Sequence, residues 1–122
     1  MSKKILIVDD NLMNRILLQE ILGQADCIVT DAKNGKEALD FVETQPFDLV
    51  LMDIEMPEMN GIEATKLIRA NEKAEIRSLK VFAITAHDVS EASNEIDQKE
   101  IFDGFISKPF TLDSLLQKIR RI

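Results

Sequence analysis

One pattern recurs five times along this chain: a short run of β-branched and other apolar residues, then a longer stretch with helical spacing. Few folds accommodate such an alternation. The first run, Lys4-Ile5-Leu6-Ile7-Val8, is continuous rather than alternating, as suits a strand covered on both faces within a parallel sheet. Asp9, Asp10 and Asn11 stop it, and helical spacing then puts Leu12, Ile16, Leu17 and Ile21 on one face up to Gly23, a C-terminal cap. The second strand is predicted over Cys27 to Ala32, and Asn34-Gly35 turns into a helix bearing Ala38, Leu39 and Val42 that ends before Pro46.

The third run, Asp48 to Met52, ends at Asp53. A loop holding Met56-Pro57 and Gly61 follows, the glycine read as a turn residue, and its helix carries Ile62, Ala64, Leu67 and Ile68. The charged stretch from Asn71 to Ser78 reads as a frayed helix end plus an exposed loop. Lys80 to Thr85 is the fourth strand. The fourth helix, Ser90 to about Glu100, keeps only Ala92, Ile96 and Ile101 at apolar spacing, so it is either exposed or a partner surface. The fifth strand, Phe102 to Ser107, is interrupted by Gly104, and after Lys108-Pro109 a last helix from Thr111 turns Leu112, Leu115, Leu116 and Ile119 inward.

Five units in 122 residues leave about 24 residues each, near the lower limit for strand-crossover-strand geometry, so residues 1–122 read as one domain. The predicted class is a doubly wound α/β fold, a five-stranded parallel sheet with helices on both faces. Fifteen Lys and Arg against 22 Asp and Glu give a formal charge of −7, which points away from direct nucleic-acid binding. Only four apolar residues, Ile5 to Val8, precede Asp9, too few for a signal peptide or a membrane span. The single Cys27 cannot form an intrachain disulfide. A cytoplasmic domain is expected, with no membrane partner.

Doubly wound sheets place their sites outside the carboxyl ends of the strands. The residues there are Asp9 and Asp10, Ala32 and Lys33, Asp53, Thr85 and Lys108: three acids, a hydroxyl and amines on one rim. Two carboxylates about 4 Å apart repel by roughly 4 kcal/mol at an effective dielectric near 20. A hard divalent cation offsets that, and Mg²⁺ suits one or two carboxylates supplemented by carbonyl, water and phosphate oxygens. Zinc and calcium-loop spacings are absent, since there is no second cysteine and a single histidine. Lys108 supplies a point cation for an incoming phosphoryl group and Thr85 a hydroxyl donor for the same oxygens. Asp53, the lone acid at its strand end, is the candidate nucleophile for an acyl phosphate. Taken singly, the acid pair reads as a helix cap, Thr85 as a strand-end residue and Lys108 as a surface charge. Their coincidence at neighbouring strand ends favours a site.

Val8-Asp9-Asp10, Leu51-Met52-Asp53-Ile54-Glu55-Met56-Pro57-Glu58-Met59-Asn60-Gly61, Ile84-Thr85-Ala86 and Phe105-Ile106-Ser107-Lys108-Pro109-Phe110 occur in that order. With these four segments the chain resembles, over residues 4 to 121, the receiver domain of two-component response regulators, in the single-domain, CheY-like form. The resemblance implies a flavodoxin-like (βα)5 fold with strand order 2-1-3-4-5. It also implies that Asp53 is the phosphoacceptor and that Mg²⁺ is held by Asp9, Asp10, Asp53 and the backbone carbonyl of Glu55. Asp9 is expected to bind partly through water and Asp10 more directly. Lys108 resembles the phosphate-contacting lysine, with a cis Lys108–Pro109 bond, while Thr85 resembles the switch hydroxyl and Phe105 the switch aromatic. Such a domain catalyses only its own phosphorylation and dephosphorylation. Glu55, two residues past Asp53, and His87, two past Thr85, are expected to overhang the phosphoryl group and tune its lifetime.

The segment Asp10-Asn11-Leu12-Met13-Asn14-Arg15 resembles receivers that exchange phosphate with histidine phosphotransfer domains or belong to hybrid kinases. Leu12, Met13 and Ile16 cannot all face the core of a helix beginning at Leu12, and Met13 is the one expected to dock a partner helix, with Met56 and Met59 beside the same surface. The implied partners are a sensor histidine kinase or a histidine phosphotransfer protein. With the chain ending at Ile122, output is expected through a downstream protein bound at the fourth helix, fifth strand and fifth helix. A haloacid-dehalogenase-like phosphatase is rejected because Glu55 and Pro57 stand where its second Asp and its Thr belong. A flavin carrier is rejected for want of a phosphate-cradling loop after the first strand. The alternative is a pseudo-receiver, a phosphorylation-independent interaction module, which would normally have lost an acid or the lysine.

Overall fold

A computed structural model describes residues 3–54, 56, 59–85, 101–107 and 111–119. The helix expected over 90–100 and the side chain of Leu112 lie outside the described residues. Five parallel strands, β1 (Lys3–Val8), β2 (Cys27–Ala32), β3 (Leu49–Asp53), β4 (Val81–Thr85) and β5 (Gly104–Ser107), form one sheet in the order β2-β1-β3-β4-β5. The helices are α1 (Leu12–Gly23), α2 (Gly35–Thr44), α3 (Gly61–Arg69), the single turn α4 (Ala74–Arg77) and α5 (Leu112–Ile119). The doubly wound class and the strand order are as expected. Among the described residues no helix is long and apolar enough to cross a membrane.

Period-two alternation splits each central strand between two cores. Leu6, Val8, Val50, Met52, Val81 and Ala83 point to the side covered by α2, α3 and α4, where Ala38, Val42, Ala64, Ile68 and Ile76 meet them. Ile5, Ile7, Leu49, Leu51, Phe82 and Ile84 point to the other side, against Leu18, Ile21 and Leu22 of α1 and Leu115 and Ile119 of α5. Burial on both faces is why these strands read as solid apolar runs.

Of the helices that start at the carboxyl end of the sheet, α1, α2 and α3 are each capped by an asparagine. The side chains of Asn11, Asn34 and Asn60 accept from the N–H of Asn14, Glu37 and Glu63 at 3.1, 2.8 and 2.9 Å. These caps fix where the loops around the strand ends begin and stop.

Three expectations change. In α1 the inward stripe is not Leu12, Ile16 and Leu17, which are 57, 41 and 44% exposed, but Leu18, Ile21 and Leu22. The inward position one turn earlier is taken by Arg15, whose side chain is 13% exposed, so a charged residue hides the true phase of the stripe. The stretch from Asn71 to Ser78 contains a helical turn, α4, because Ile76 is buried and Arg69 gathers the nearby carbonyls: its guanidinium donates to the oxygens of Arg77 (3.0 Å), Leu79 (2.6 Å) and Ile101 (2.8 Å). Finally, β5 starts at Gly104. A Cβ there would lie 3.1 Å from the Phe82 ring, so the glycine lets the edge strand settle on β4.

Candidate metal centre

Asp9 follows β1 directly. Its N–H donates to the carbonyl of Ala32 (3.1 Å), extending the sheet by one bond, and its Oδ1 accepts from the N–H of Asn11 (2.9 Å). Asp53 is the last residue of β3, the strand beside β1, and the Val8–Met52 register brings the two strand ends level. Asp9 and Asp53 are buried and Asp10 is exposed. One carboxylate oxygen from each of the three can be chosen so that all lie within 4.8 Å of one another, and no other group of three or more His, Cys, Asp or Glu does so among the described residues.

All three donors are hard oxygens. With no imidazole or thiolate among them, and with two of the acids withdrawn from water, the set fits an oxygen-seeking divalent cation of the magnesium type. Thr85, fully buried, ends β4 on the far side of Asp53; Asp53 pairs with Ile84 in register, and the Ile54 N–H donates to the Ile84 carbonyl at 3.1 Å. Phe105 pairs with Ala83 and Thr85 with Ser107, so alternation puts Thr85 and Phe105 on one face of neighbouring strands. Phe105 is half-buried and meets Phe102 edge-on, ring centroids 5.7 Å apart. Glu55, His87, Lys108 and Pro109, including the expected cis bond, lie outside the described residues.

The methionines of the central loop depart from expectation. Met56 is buried and Met59 half-buried, both packed into the core beneath α2 and α3, whereas Met13 is 70% exposed on α1. They do not form one surface with it, because both side chains turn into the core.

Two residues beside the site went unassigned in the sequence. Gly61 packs so closely under the loop that a Cβ would overlap the carbonyl oxygen of Asp53 and lie 2.8 Å from the Cα of Ile54. No glycine among the described residues has a positive φ, so close approach is the reason for this one. Arg15 donates from Nη1 to the carbonyl oxygen of Asp9 (2.7 Å) and from Nε to Asp31 Oδ2 (2.9 Å). An arginine standing in an apolar stripe was the signal available for it.

A cavity of about 330 Å³ lies far from these residues, between Val42, Phe47, Ile76 and Leu79 at the opposite end of the sheet. Ligand atoms, not volume, define a cation site, so the carboxylate cluster is the stronger candidate.

Known proteins place the chain. It matches the response regulator receiver domain over residues 5–120. It is 40% identical over 118 residues to the CAI-1 autoinducer sensor kinase/phosphatase CqsS of Vibrio cholerae, a match covering 97% of this chain but only 17% of that protein. It is 32% identical over 120 residues to the polar-differentiation response regulator DivK of Brucella ovis, covering 98% of this chain and 95% of DivK. Among solved structures, the response regulator TrrA of Thermotoga maritima, in complex with Mg²⁺ and beryllofluoride, superposes with a TM-score of 0.86 at 32% identity, covering 98% of each chain. An acidic cluster at the carboxyl end of a 2-1-3-4-5 sheet, and a match over nearly the whole length, thus agree that the chain belongs to the receiver domain family of two-component response regulators.

Proposed function

We propose that residues 1–122 act as one phosphoacceptor unit of a two-component or phosphorelay system. A carboxylate oxygen of Asp53 attacks the phosphorus of a partner's phosphohistidine; the new O–P bond makes an aspartyl phosphate as the N–P bond breaks and the imidazole leaves. The observation that carries this reading is the crowding of Asp9, Asp10 and Asp53 within 4.8 Å at the strand ends. Asp9 and Asp10 with Asp53 and the backbone carbonyl of Glu55 would hold Mg²⁺, which when bound draws charge from the phosphoryl oxygens. Lys108 takes a second share of that charge, and Glu55 and His87 tune hydrolysis. The domain's chemistry is confined to its own phosphorylation and dephosphorylation, and its place is the cytoplasm.

Thr85 then moves toward the phosphoryl group and Phe105 follows it inward. Their position on one face of β4 and β5 supports that coupling. The change is read by a downstream protein at the expected helix over 90–100, β5 and α5. The donor, a sensor histidine kinase or a histidine phosphotransfer protein, docks on α1, where Leu12, Met13, Ile16 and Leu17 expose 41 to 70% of their surface next to the Asp9–Asp10 turn. An apolar helix face of this kind suits a partner helix that carries the phosphohistidine. A pseudo-receiver would not need three acids kept in mutual repulsion, which disfavours it.

The test adds Mg²⁺ with beryllofluoride, a mimic of the aspartyl phosphate, and follows amide NMR shifts. Shifts at Asp53, Thr85 and Phe105, lost in Asp53→Asn, are expected. Silence at those amides under saturating conditions would leave only the interaction module.

A further inference from the structure

The Asp9–Asp10 turn is held from a direction that the metal ligands do not explain. Three of its bonds help fix Asp9: its N–H on the Ala32 carbonyl, its Oδ1 on the Asn11 N–H, and its own carbonyl oxygen on Arg15 Nη1 at 2.7 Å. The carbonyl of Asp9 and the N–H of Asp10 belong to one planar peptide unit. Fixing that carbonyl therefore fixes the direction in which Asp10 leaves the strand, and Asp10 is the exposed member of the cluster, with no strand of its own to hold it.

Arg15 is itself locked. Its Nε donates to Asp31 Oδ2 at 2.9 Å, its side chain is 13% exposed, and its backbone lies in the first turn of α1, where its N–H donates to the carbonyl of the cap residue Asn11. One guanidinium fork thus joins the end of β1, the penultimate residue of β2 and the first turn of α1. It occupies an inward position that a leucine would otherwise fill.

From this geometry we infer that Arg15 is a positioning residue for the cation site: by gripping the Asp9 carbonyl while anchored on Asp31, it presets the Asp9–Asp10 turn for Mg²⁺. The inference rests on the reading of the carboxylate cluster as a Mg²⁺ site. Charge and position make opposite predictions here. As a cation beside three acids, Arg15 repels a second cation, so its removal would tighten Mg²⁺ binding if charge alone mattered. As an outer-shell support, its removal loosens binding, by about 10-fold or more on the scale of such supports.

The experiment titrates Mg²⁺ into the wild type, Arg15→Ala and Arg15→Lys, with binding read by calorimetry and by the amide shifts of Asp9 and Asp10, and stability without Mg²⁺ read by urea denaturation. Lysine keeps the charge and the stem but not the two-partner fork. Weaker Mg²⁺ binding in both variants, with the remaining amide spectrum native, is expected. Shifts of the Asp9 carbonyl carbon and the Asp10 amide in the Mg²⁺-free proteins should accompany it. If Arg15→Ala does not fold, Arg15→Lys carries the comparison. Binding that tightens or stays within twofold of the wild type in a folded variant overturns the positioning role and leaves the Mg²⁺ site standing. A wild type that binds no Mg²⁺ overturns both.

Discussion

Acids at the two ends of the sheet differ in whether other acids crowd them. Just before β5, Asp103 Oδ2 accepts from Arg69 Nη2 (3.0 Å) and from the N–H of Val81 (2.9 Å), with Lys80 Nζ 3.9 Å from its other oxygen; just before β3, Asp48 Oδ2 accepts from the N–H of Lys4 at 2.8 Å. At the carboxyl end, Asp9, Asp10 and Asp53 are brought up against one another. An acid matched by donors settles the fold. Acids gathered by converging strand ends repel one another and concentrate a negative potential that suits a cation. What marks function in this chain is therefore the company its acids keep rather than its net charge of −7.

Substitutions at the two ends should separate stability from cation binding. The largest effect falls at the amino end: Arg69→Ala strands the carbonyls of Arg77, Leu79 and Ile101 together with Asp103, and should lower stability by about 3 kcal/mol in urea denaturation while leaving Mg²⁺ affinity unchanged. A loss of Mg²⁺ affinity in a folded Arg69 variant would blur the contrast. Gly61→Ala comes next and crosses it, since its Cβ intrudes on backbone at the end of β3. About 2 kcal/mol of stability and part of the Mg²⁺ affinity should go together. The smallest expected effect is the cleanest. Asp10→Asn, in an exposed position, should weaken Mg²⁺ about tenfold, roughly 1.4 kcal/mol, with stability in the absence of Mg²⁺ equal to the wild type or higher. A destabilised Asp10→Asn would make that acid a structural cap instead.

The strands were readable because burial on both faces leaves nothing polar in Ile5 to Val8, Leu49 to Met52 or Val81 to Ile84. The site acids were readable because the strand-end rule turns position in sequence into position in space. Hidden from the sequence were arrangements made by polar groups reaching backbone. Arg15 and Arg69 bind carbonyl oxygens, and every residue has one, so no pattern of residue types marks which are chosen. The same cause shifted the phase of α1 and concealed α4, whose one buried residue, Ile76, stands among charges. Gly61 was overlooked because a glycine after Asn60 reads as a turn, while its use is the space it leaves beneath Asp53. Met56 looked like part of a docking loop because hydrophobicity alone does not say whether a loop folds over the core or away from it.

The most direct measurement incubates the wild type and Asp53→Asn with Mg²⁺ and a small-molecule phosphodonor, then reads intact mass and maps the modified residue by borohydride reduction. One phosphoryl group on Asp53, absent in Asp53→Asn and absent when Mg²⁺ is chelated, is the expected result. No adduct on the wild type, or an equal adduct on Asp53→Asn, would contradict a phosphoacceptor built from these three carboxylates.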